Sequence, residues 1–314
     1  MAVVDDLAWA DAYPGQEPML GEIFCLTFIR GVDAAEALRR MGGLPDTVAT
    51  RTSSDLGNLH TFDDGYPEMA SALPLGAWTV VFEPNGFNGS LMTATLSRGT
   101  EAISVLRHDY ASAGFTYAVD GELVTYFDPI SPAYRNGADP DRLLTPMRDL
   151  GFPVTEDEED DSDGDTSRSL RLVEQLTGVL PTFAALTGPL TSAHVEPWFT
   201  DAPKEPAGRP GHDGPVDAVT EVRRLTGLYD LTGTPGLADA LAAAERGDRV
   251  TVTPESPLGQ HVRTWLTESR RASWSLNDHG GRHRMTEAER RRAFDLGWLT
   301  RALGAALQPD PARG

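Results

Sequence analysis

Cysteine and lysine are almost missing from this 314-residue chain, which holds one cysteine, Cys25, and one lysine, Lys204. A single cysteine cannot form an intramolecular disulfide, so the disulfide framework of a small secreted protein is excluded. Long apolar runs are missing too, since no stretch approaches the roughly 18 apolar residues of a membrane span. Residues 1–6 lack the basic and apolar segments of a signal peptide. We therefore expect a cytoplasmic protein that does not associate with membranes.

Positive charge is also scarce. The chain has 27 lysine and arginine residues against 47 aspartates and glutamates, which gives a formal net charge of −20. Nucleic-acid affinity depends on cations that neutralise phosphates, so this balance argues against nucleic acid as a partner. It favours a protein partner with a basic surface. The near-absence of lysine among the basic residues, together with abundant Ala, Gly and Pro, indicates GC-rich codons and an actinobacterium-like source.

One segment departs from the acidic average. Residues 261–301 carry nine arginines against five carboxylates. Two interpretations remain open, a docking face for an acidic partner or a helix with a solvated arginine face. A third arrangement, in which the acidic run of the chain folds back on this segment as a lid, is also compatible with the charges.

The first half of the chain alternates strand and helix patterns. Five segments carry them: a strand over 23–29, a helix from Asp33 to Gly43, a strand over 78–83, a helix over 91–97 and a strand over 102–107. Asp33 and Glu36 have the spacing of a capping box, and Pro84 stops the second strand. These elements predict one folded unit that contains a sheet.

The sequence FTYAVDGELVTYF predicts a β-hairpin. Its Asp-Gly pair at 120–121 supplies the positive φ angles of a two-residue type I′ turn. Such a turn sets a register in which Phe115 faces Tyr126 and Tyr117 faces Val124. We expect that face to belong to the core.

The acidic run EDEEDDSDGD at 156–165 has eight carboxylates and no apolar residue, so it predicts a solvated linker. The expected organisation is an α+β domain over 1–153, an acidic linker over 154–168 and a mainly helical region over 169–314. A Pro/Gly-rich linker is expected near 197–215. The fold class is therefore α+β, with a mixed, mainly antiparallel sheet and packed helices in the N-terminal domain, followed by a mainly helical C-terminal region.

Helices dominate the predicted C-terminal region. They are expected over 216–225, 236–246, 258–271 and 286–307. In the last of these, Thr286 begins a capping box and leucines recur at helical spacing.

The segment WTVVFEPNGFNGS is the candidate ligand site, because it predicts a strand, a glycine-containing turn and the start of a helix. Exposed amides at such a helix start can hold a phosphate, and polar residues at a strand end can contact a ligand. The same segment also predicts an ordinary turn, with Asn88 or Ser90 as the N-cap of the helix that follows. The candidate ligand-binding residues are Glu83, Asn85, Gly86, Asn88, Gly89 and Ser90.

Metal and catalytic patterns are incomplete. A calcium loop centred on Gly164 puts Leu170 where a bidentate carboxylate is required. His279 and His283 are separated by Gly-Gly-Arg with Asp278 beside them, but the glycines and the two arginines next to His283 favour a polar loop over a zinc site. His60 and His108 remain as acid/base candidates, although their aromatic neighbours favour structural roles. We predict no metal site, no cofactor and no catalytic residue.

Five sequence segments in the first half of the chain resemble a known family. In order, they are FCLTFIRGVD, WTVVFEPNGFNG, LSRGTEAISVLRH, FTYAVDGELVTYFDP and GADPDRLLTPMRDLGF. Together they resemble an uncharacterised actinobacterial domain family of unknown function over residues of about 20–152. The resemblance implies an α+β domain in an actinobacterial cytoplasm, and it implies no activity or catalytic residue.

Two functional hypotheses follow. The first is a non-enzymatic protein-interaction or regulatory module, because charge is segregated along the chain and no motif predicts chemistry. The second is a small-molecule-binding or enzymatic domain that uses the turn from Glu83 to Ser90.

Overall fold

The computed structural model describes residues 6–158, 165–211, 214, 216–276 and 285–308. Two compact units make up the chain: a sheet unit, 1–58 and 68–200, and a helical unit, 59–67 and 201–314. Residues 159–164 of the acidic run, which form the first half of the calcium-loop pattern, and the pair His279 and His283 lie outside the described residues. In the described ranges, no helix is both long and apolar enough to cross a membrane.

The sheet unit is built on a nine-stranded antiparallel sheet in the order β2-β9-β3-β4-β1-β5-β6-β7-β8. Its strands are β1 (Ile23–Arg30), β2 (Ala49–Arg51), β3 (Met69–Leu75), β4 (Trp78–Pro84), β5 (Glu101–His108), β6 (Gly114–Val119), β7 (Glu122–Phe127), β8 (Arg135–Asn136) and β9 (Leu190–His194). The three central strands β4, β1 and β5 are nearly fully buried, in agreement with the apolar runs that predict them.

Helices accompany this sheet and then dominate the rest of the chain. They are α1 (Ala8–Asp11), α2 (Ala34–Arg40), α3 (Ser53–Leu59), α4 (Asn88–Leu96), α5 (Leu144–Asp149), α6 (Asp165–Thr177), α7 (Phe183–Thr187), α8 (Ala218–Leu228), α9 (Leu237–Glu245), α10 (Pro257–Leu276) and α11 (Glu287–Leu307). The predicted fold class, an α+β domain followed by a mainly helical region, is confirmed.

Alternation along β1 gives the sheet two different faces. Phe24, Leu26 and Phe28 enter the main hydrophobic core together with residues of α1, α5, α6 and α7. Cys25 and Thr27, which alternate with them, are fully buried on the opposite face, where α4 packs against β1, β5 and β6. Thr27 and Ser104, two small polar residues of this face, contact α4 directly.

The sheet unit extends to Thr200, past the domain end predicted at residue 153. Three apolar residues of α6 belong to the main core, and β9 pairs with both β2 and β3. Helix α6 begins inside the predicted acidic linker because Asp11 accepts hydrogen bonds from the amides of Thr166 (2.9 Å) and Ser167 (3.0 Å). The predicted linker near 197–215 also packs in part, since Gly208 lies against the ring of Trp298 within the helical unit.

The predicted hairpin has the expected two-residue turn but a different register. Tyr117 lies opposite Thr125 and Phe115 opposite Phe127, each one residue beyond its predicted partner. The register shifts because Val124 is an extra residue on β7, a β-bulge that the turn alone does not reveal. The carbonyl of Val124 instead accepts the amide of Asp139 at 3.0 Å.

The helical unit carries one buried charge cluster. The carboxylate of Glu221 is fully buried and pairs with Arg209 at 2.5 Å and Arg224 at 2.7 Å. Both arginines hold the pKa of Glu221 low, at about 2, which means that the pair network stays ionised. The predicted capping box at the start of α11 is confirmed, with Thr286 and Glu289 bonded reciprocally.

Replacement of Asp11 tests the long-range cap of α6. We expect Asp11→Ala to lower the free energy of unfolding of the sheet unit by about 1 to 2 kcal/mol, because two helix amides lose their acceptor. Urea denaturation measures this loss. Asp149→Ala, which removes an exposed carboxylate at the end of α5, is the control and should change stability by less than about 0.5 kcal/mol. Equal effects of the two variants would contradict the capping role.

Candidate functional site

The candidate site lies where β4 ends and α4 begins. Asn85 has a positive φ of 57°, a conformation that asparagine tolerates in turns, and its amide donates to the carbonyl of Ile23 at 3.0 Å. The turn brings the first residues of α4 back over the end of the strand. Four of the six predicted residues, Glu83, Gly86, Asn88 and Gly89, meet there.

Glu83 caps helix α4 from the preceding strand. Its side chain is 1% exposed, and its two oxygens accept the amides of Asn88 (3.1 Å) and Gly89 (2.7 Å). These are two of the amides that a helix leaves without an intrahelical partner. The N-cap position itself is Phe87, whose side chain cannot accept a bond, so the predicted capping by Asn88 or Ser90 is replaced by a capping carboxylate from β4.

Gly89 is required by the closeness of α4 to the sheet. A Cβ atom at this position would overlap Oγ1 of Thr27 and lie 2.8 Å from Oε2 of Glu83. Gly86 has a similar constraint, because a Cβ there would lie 2.9 Å from Cβ of Glu83. Both glycines therefore serve close packing around the buried carboxylate.

Burial dominates the electrostatics of Glu83. Burial raises its pKa, the nearby carboxylate of Glu68 adds to this rise, and the resulting pKa is about 7 instead of 4.5. Hydrogen bonds from Gly89 and Asn88 act in the opposite direction but do not compensate for burial. The side chain of Asn88 also donates to Glu68, so that one residue touches both carboxylates.

Cys25 is the cross-strand neighbour of Glu83 in the register of β1 with β4. Its sulfur lies 3.6 Å from Oγ1 of Thr27 and accepts a hydrogen bond from the amide of Ser90. Burial and the charge of Glu83 raise the pKa of the Cys25 thiol far above its usual range. The group is therefore a neutral, buried thiol that lacks the properties of a nucleophile.

The arrangement leaves little of the predicted anion site open. The first two amides of α4 are bonded to Glu83 and the third, that of Ser90, to Cys25. Of the six candidate residues, Asn85 is exposed and Asn88 and Ser90 are half-buried, so these three are the candidates that a ligand can reach. Within the described ranges, no three His, Cys, Asp or Glu side chains are grouped to hold a metal ion.

The sequence prediction missed an apolar surface beside this turn. Leu91 is 75% exposed, Tyr110 is 71% exposed and Phe87 is 44% exposed. The ring of His108 lies between two of them, at 6.4 Å from the ring of Phe87 and 6.5 Å from that of Tyr110, and Leu91 follows Phe87 by one helical turn. We call Phe87, Leu91, His108 and Tyr110 the α4 face. The four-residue spacing of Phe87 and Leu91 fits one side of a helix, but the sequence does not show which side is solvated.

Acidic groups border the α4 face. A hydrogen bond to Glu22 raises the pKa of the Tyr110 hydroxyl. Asp109 lies between His108 and Tyr110, and Arg107 holds its carboxylate through bonds of 2.8 Å to each oxygen. Arg107 also donates to two carbonyls of the N-terminal segment, so that this rim of the sheet is fixed.

His60, the other acid/base candidate, belongs to the helical unit and has a structural environment. Its ring lies 4.8 Å from that of Tyr66 and 5.7 Å from that of Trp274, and burial lowers its pKa. These ring-to-ring distances show that His60 packs against Tyr66 and Trp274.

Gly89→Ala tests the close contact of α4 with the sheet. We expect it to lower the melting temperature of the sheet unit, with a cost of about 2 kcal/mol or more, because the new methyl group overlaps Thr27 and Glu83. Gly57→Ala is the matched control, since Gly57 lies in α3 with no neighbouring atom within 4 Å of an added Cβ. That control should raise stability by about 0.5 to 1 kcal/mol. A neutral Gly89→Ala would contradict the packing.

The raised pKa of Glu83 predicts a pH-dependent stability. A carboxyl group whose pKa rises from 4.5 on folding adds stability below pH 4.5 and loses it as the pH passes through about 7. We expect the wild type to lose about 3 kcal/mol more than Glu83→Gln over this interval. Amide exchange in β1 at pH 5 and pH 8 measures the difference. Parallel pH profiles of the two proteins would refute this electrostatic account.

Comparison with known proteins identifies the family. No curated protein and no solved structure was found to match the chain. A family model described as a family of unknown function, DUF6461, matches residues 1–190. That range contains nearly all of the sheet unit, including the turn at Glu83, the α4 face and helix α6. The match covers more than half of the sequence, and the chain therefore belongs to the DUF6461 family.

Proposed function

We propose that this protein is an interaction or regulatory module that binds a partner protein through the α4 face. The observation that carries the proposal is a set of three exposed large apolar side chains: Phe87 and Tyr110 flank the ring of His108, and Leu91 follows Phe87 by one helical turn. Contiguous exposed apolar groups with a polar rim are typical of protein-binding surfaces. Aromatic residues in particular are enriched where such surfaces bind.

Charge defines the kind of partner. The sheet unit carries 29 carboxylates against 11 arginines, whereas the helical unit carries 18 carboxylates against 16 basic residues. Nearly all of the net charge of −20 therefore belongs to the unit that bears the α4 face. A partner with an apolar centre and a basic rim complements this surface, and opposite charges speed the encounter.

The proposal also includes the cellular location and the source of the protein. A cytoplasmic location is supported by the single cysteine, Cys25, which is buried as a free thiol. An actinobacterial source is supported by the use of arginine in place of lysine.

The alternative, a small-molecule or enzymatic site at residues 83–90, has weaker support. Both oxygens of Glu83 and the first amides of α4 already bond each other. Of the six candidate residues, a ligand could contact only Asn85, Asn88 and Ser90, and we therefore favour the interaction module.

Replacement of Leu91 tests the proposed interface. A partner captured by the wild-type protein is expected to bind Leu91→Asp at least about tenfold more weakly, because a charge replaces an apolar anchor. Isothermal titration calorimetry measures the dissociation constants. Val48→Asp introduces the same charge at another exposed apolar position of the sheet unit and should leave binding unchanged.

Salt provides the second part of this test. Binding should weaken as ionic strength rises, because the partner carries the opposite charge. A captured partner that binds Leu91→Asp as well as it binds the wild type would overturn the assignment of the α4 face. An acidic partner whose affinity rises with salt would overturn the charge argument.

A further inference from the structure

The first turn of α4 has two roles, which belong to adjacent residues. Its amides at Asn88 and Gly89 are held by the carboxylate of Glu83, and its side chains at Phe87 and Leu91 form part of the α4 face. A change in the hydrogen bonds of the carboxylate therefore affects the positions of the exposed apolar side chains, which lie less than one helical turn away.

We propose that Glu83 makes the α4 face sensitive to protons: the protonated side chain lets the first turn of α4 stay packed over the sheet, and ionisation loosens that turn by favouring a state in which water reaches the carboxylate. This inference rests on the proposed function of the α4 face. Amide bonds to an ionised oxygen are stronger than those to a neutral one, but burial outweighs them here, so the packed turn holds the proton more tightly than a solvated carboxyl group does. A turn that opens to water therefore gains stability relative to the packed turn as Glu83 ionises.

The groups around Glu83 favour a proton change near neutral pH. From β1 the side chain faces Cys25, whose thiol stays neutral, and Thr27 lies beside Gly89. From the segment before β3 it faces the carboxylate of Glu68. From α4 it faces the backbone amides and the side-chain amide of Asn88, which do not titrate. Burial and the like charge of Glu68 place the pKa of Glu83 at about 7, whereas solvated glutamates ionise well below that pH.

The neighbouring contacts limit the response to the helix start. Further along α4, the hydroxyl of Thr93 bonds the carbonyl of Gly89 at 2.8 Å and the hydroxyl of Ser104 on β5 at 2.9 Å. Leu96 is fully buried at the helix end. These contacts do not depend on the protonation of Glu83, so the end of α4 stays fixed while its first turn loosens.

Nuclear magnetic resonance of the uniformly ¹⁵N-labelled full chain tests the proposal without a partner. The amide resonances of Asn88 and Gly89 are expected to titrate together with a midpoint near pH 7. The hydrogen-exchange protection of Gly89, corrected for intrinsic rates, should fall at least about tenfold as the pH rises from 5 to 7. The protection of Leu96, which serves as the internal reference, should stay constant.

Two variants make the assignment specific. Glu83→Gln should abolish the titration at both amides. Glu68→Gln should shift the midpoint to lower pH, because it removes a like charge while Glu83 remains. If Glu83→Gln does not fold, this shift alone tests whether Glu83 is the titrating group. Flat amide resonances in the wild type between pH 5 and pH 8.5, or an unshifted midpoint in Glu68→Gln, would overturn the proposal.

The same experiment separates the two proposals. If Leu91→Asp leaves partner binding intact while Asn88 and Gly89 titrate as expected, the α4 face is not the interface and the proton response of the helix start still stands. If the partner needs Leu91 but the resonances stay flat, the interface stands and the proton response is overturned.

Discussion

The buried carboxylate of Glu83 is the constraint on which this region of the molecule depends. It sits at the end of the central strand β4 and bonds the first amides of α4, so that the helix starts directly over the sheet. Gly86 and Gly89 are the residues that make room for it. Because an uncompensated buried charge is costly, the two amides, the glycines and the raised pKa form one arrangement and cannot be changed independently.

The packing of α4 on the sheet also determines which of its side chains face solvent. With the inner side of α4 fixed by Thr93 and Gly89, Phe87 and Leu91 are left on the solvent side beside His108 and Tyr110. The acidic charge of the chain is concentrated in the same unit. An apolar centre within an acidic surface is a physical basis for recognition of a basic partner, and it requires no chemical reaction.

Sequence patterns were sufficient for the elements whose signals are local. The apolar run at 23–29, the cap at Asp33 and the capping box at Thr286 each depend on a few adjacent residues, and each is present in the structure. Features that depend on distant residues could not be predicted: the bulge at Val124 and the cap of α6 by Asp11 are examples. The candidate turn was located correctly, but a glutamate at the end of a strand gives no sign of whether it is solvated or buried under a helix.

The hydrogen bonds of Glu83 can be observed directly by magnetic resonance. Scalar couplings across hydrogen bonds, measured between the amide nitrogens of Asn88 and Gly89 and the carboxyl carbon of Glu83, report whether the carboxyl group caps α4. The account predicts a correlation from both amides to the Glu83 side chain. Absence of both correlations, in a spectrum that shows the backbone couplings between β1 and β4, would contradict it.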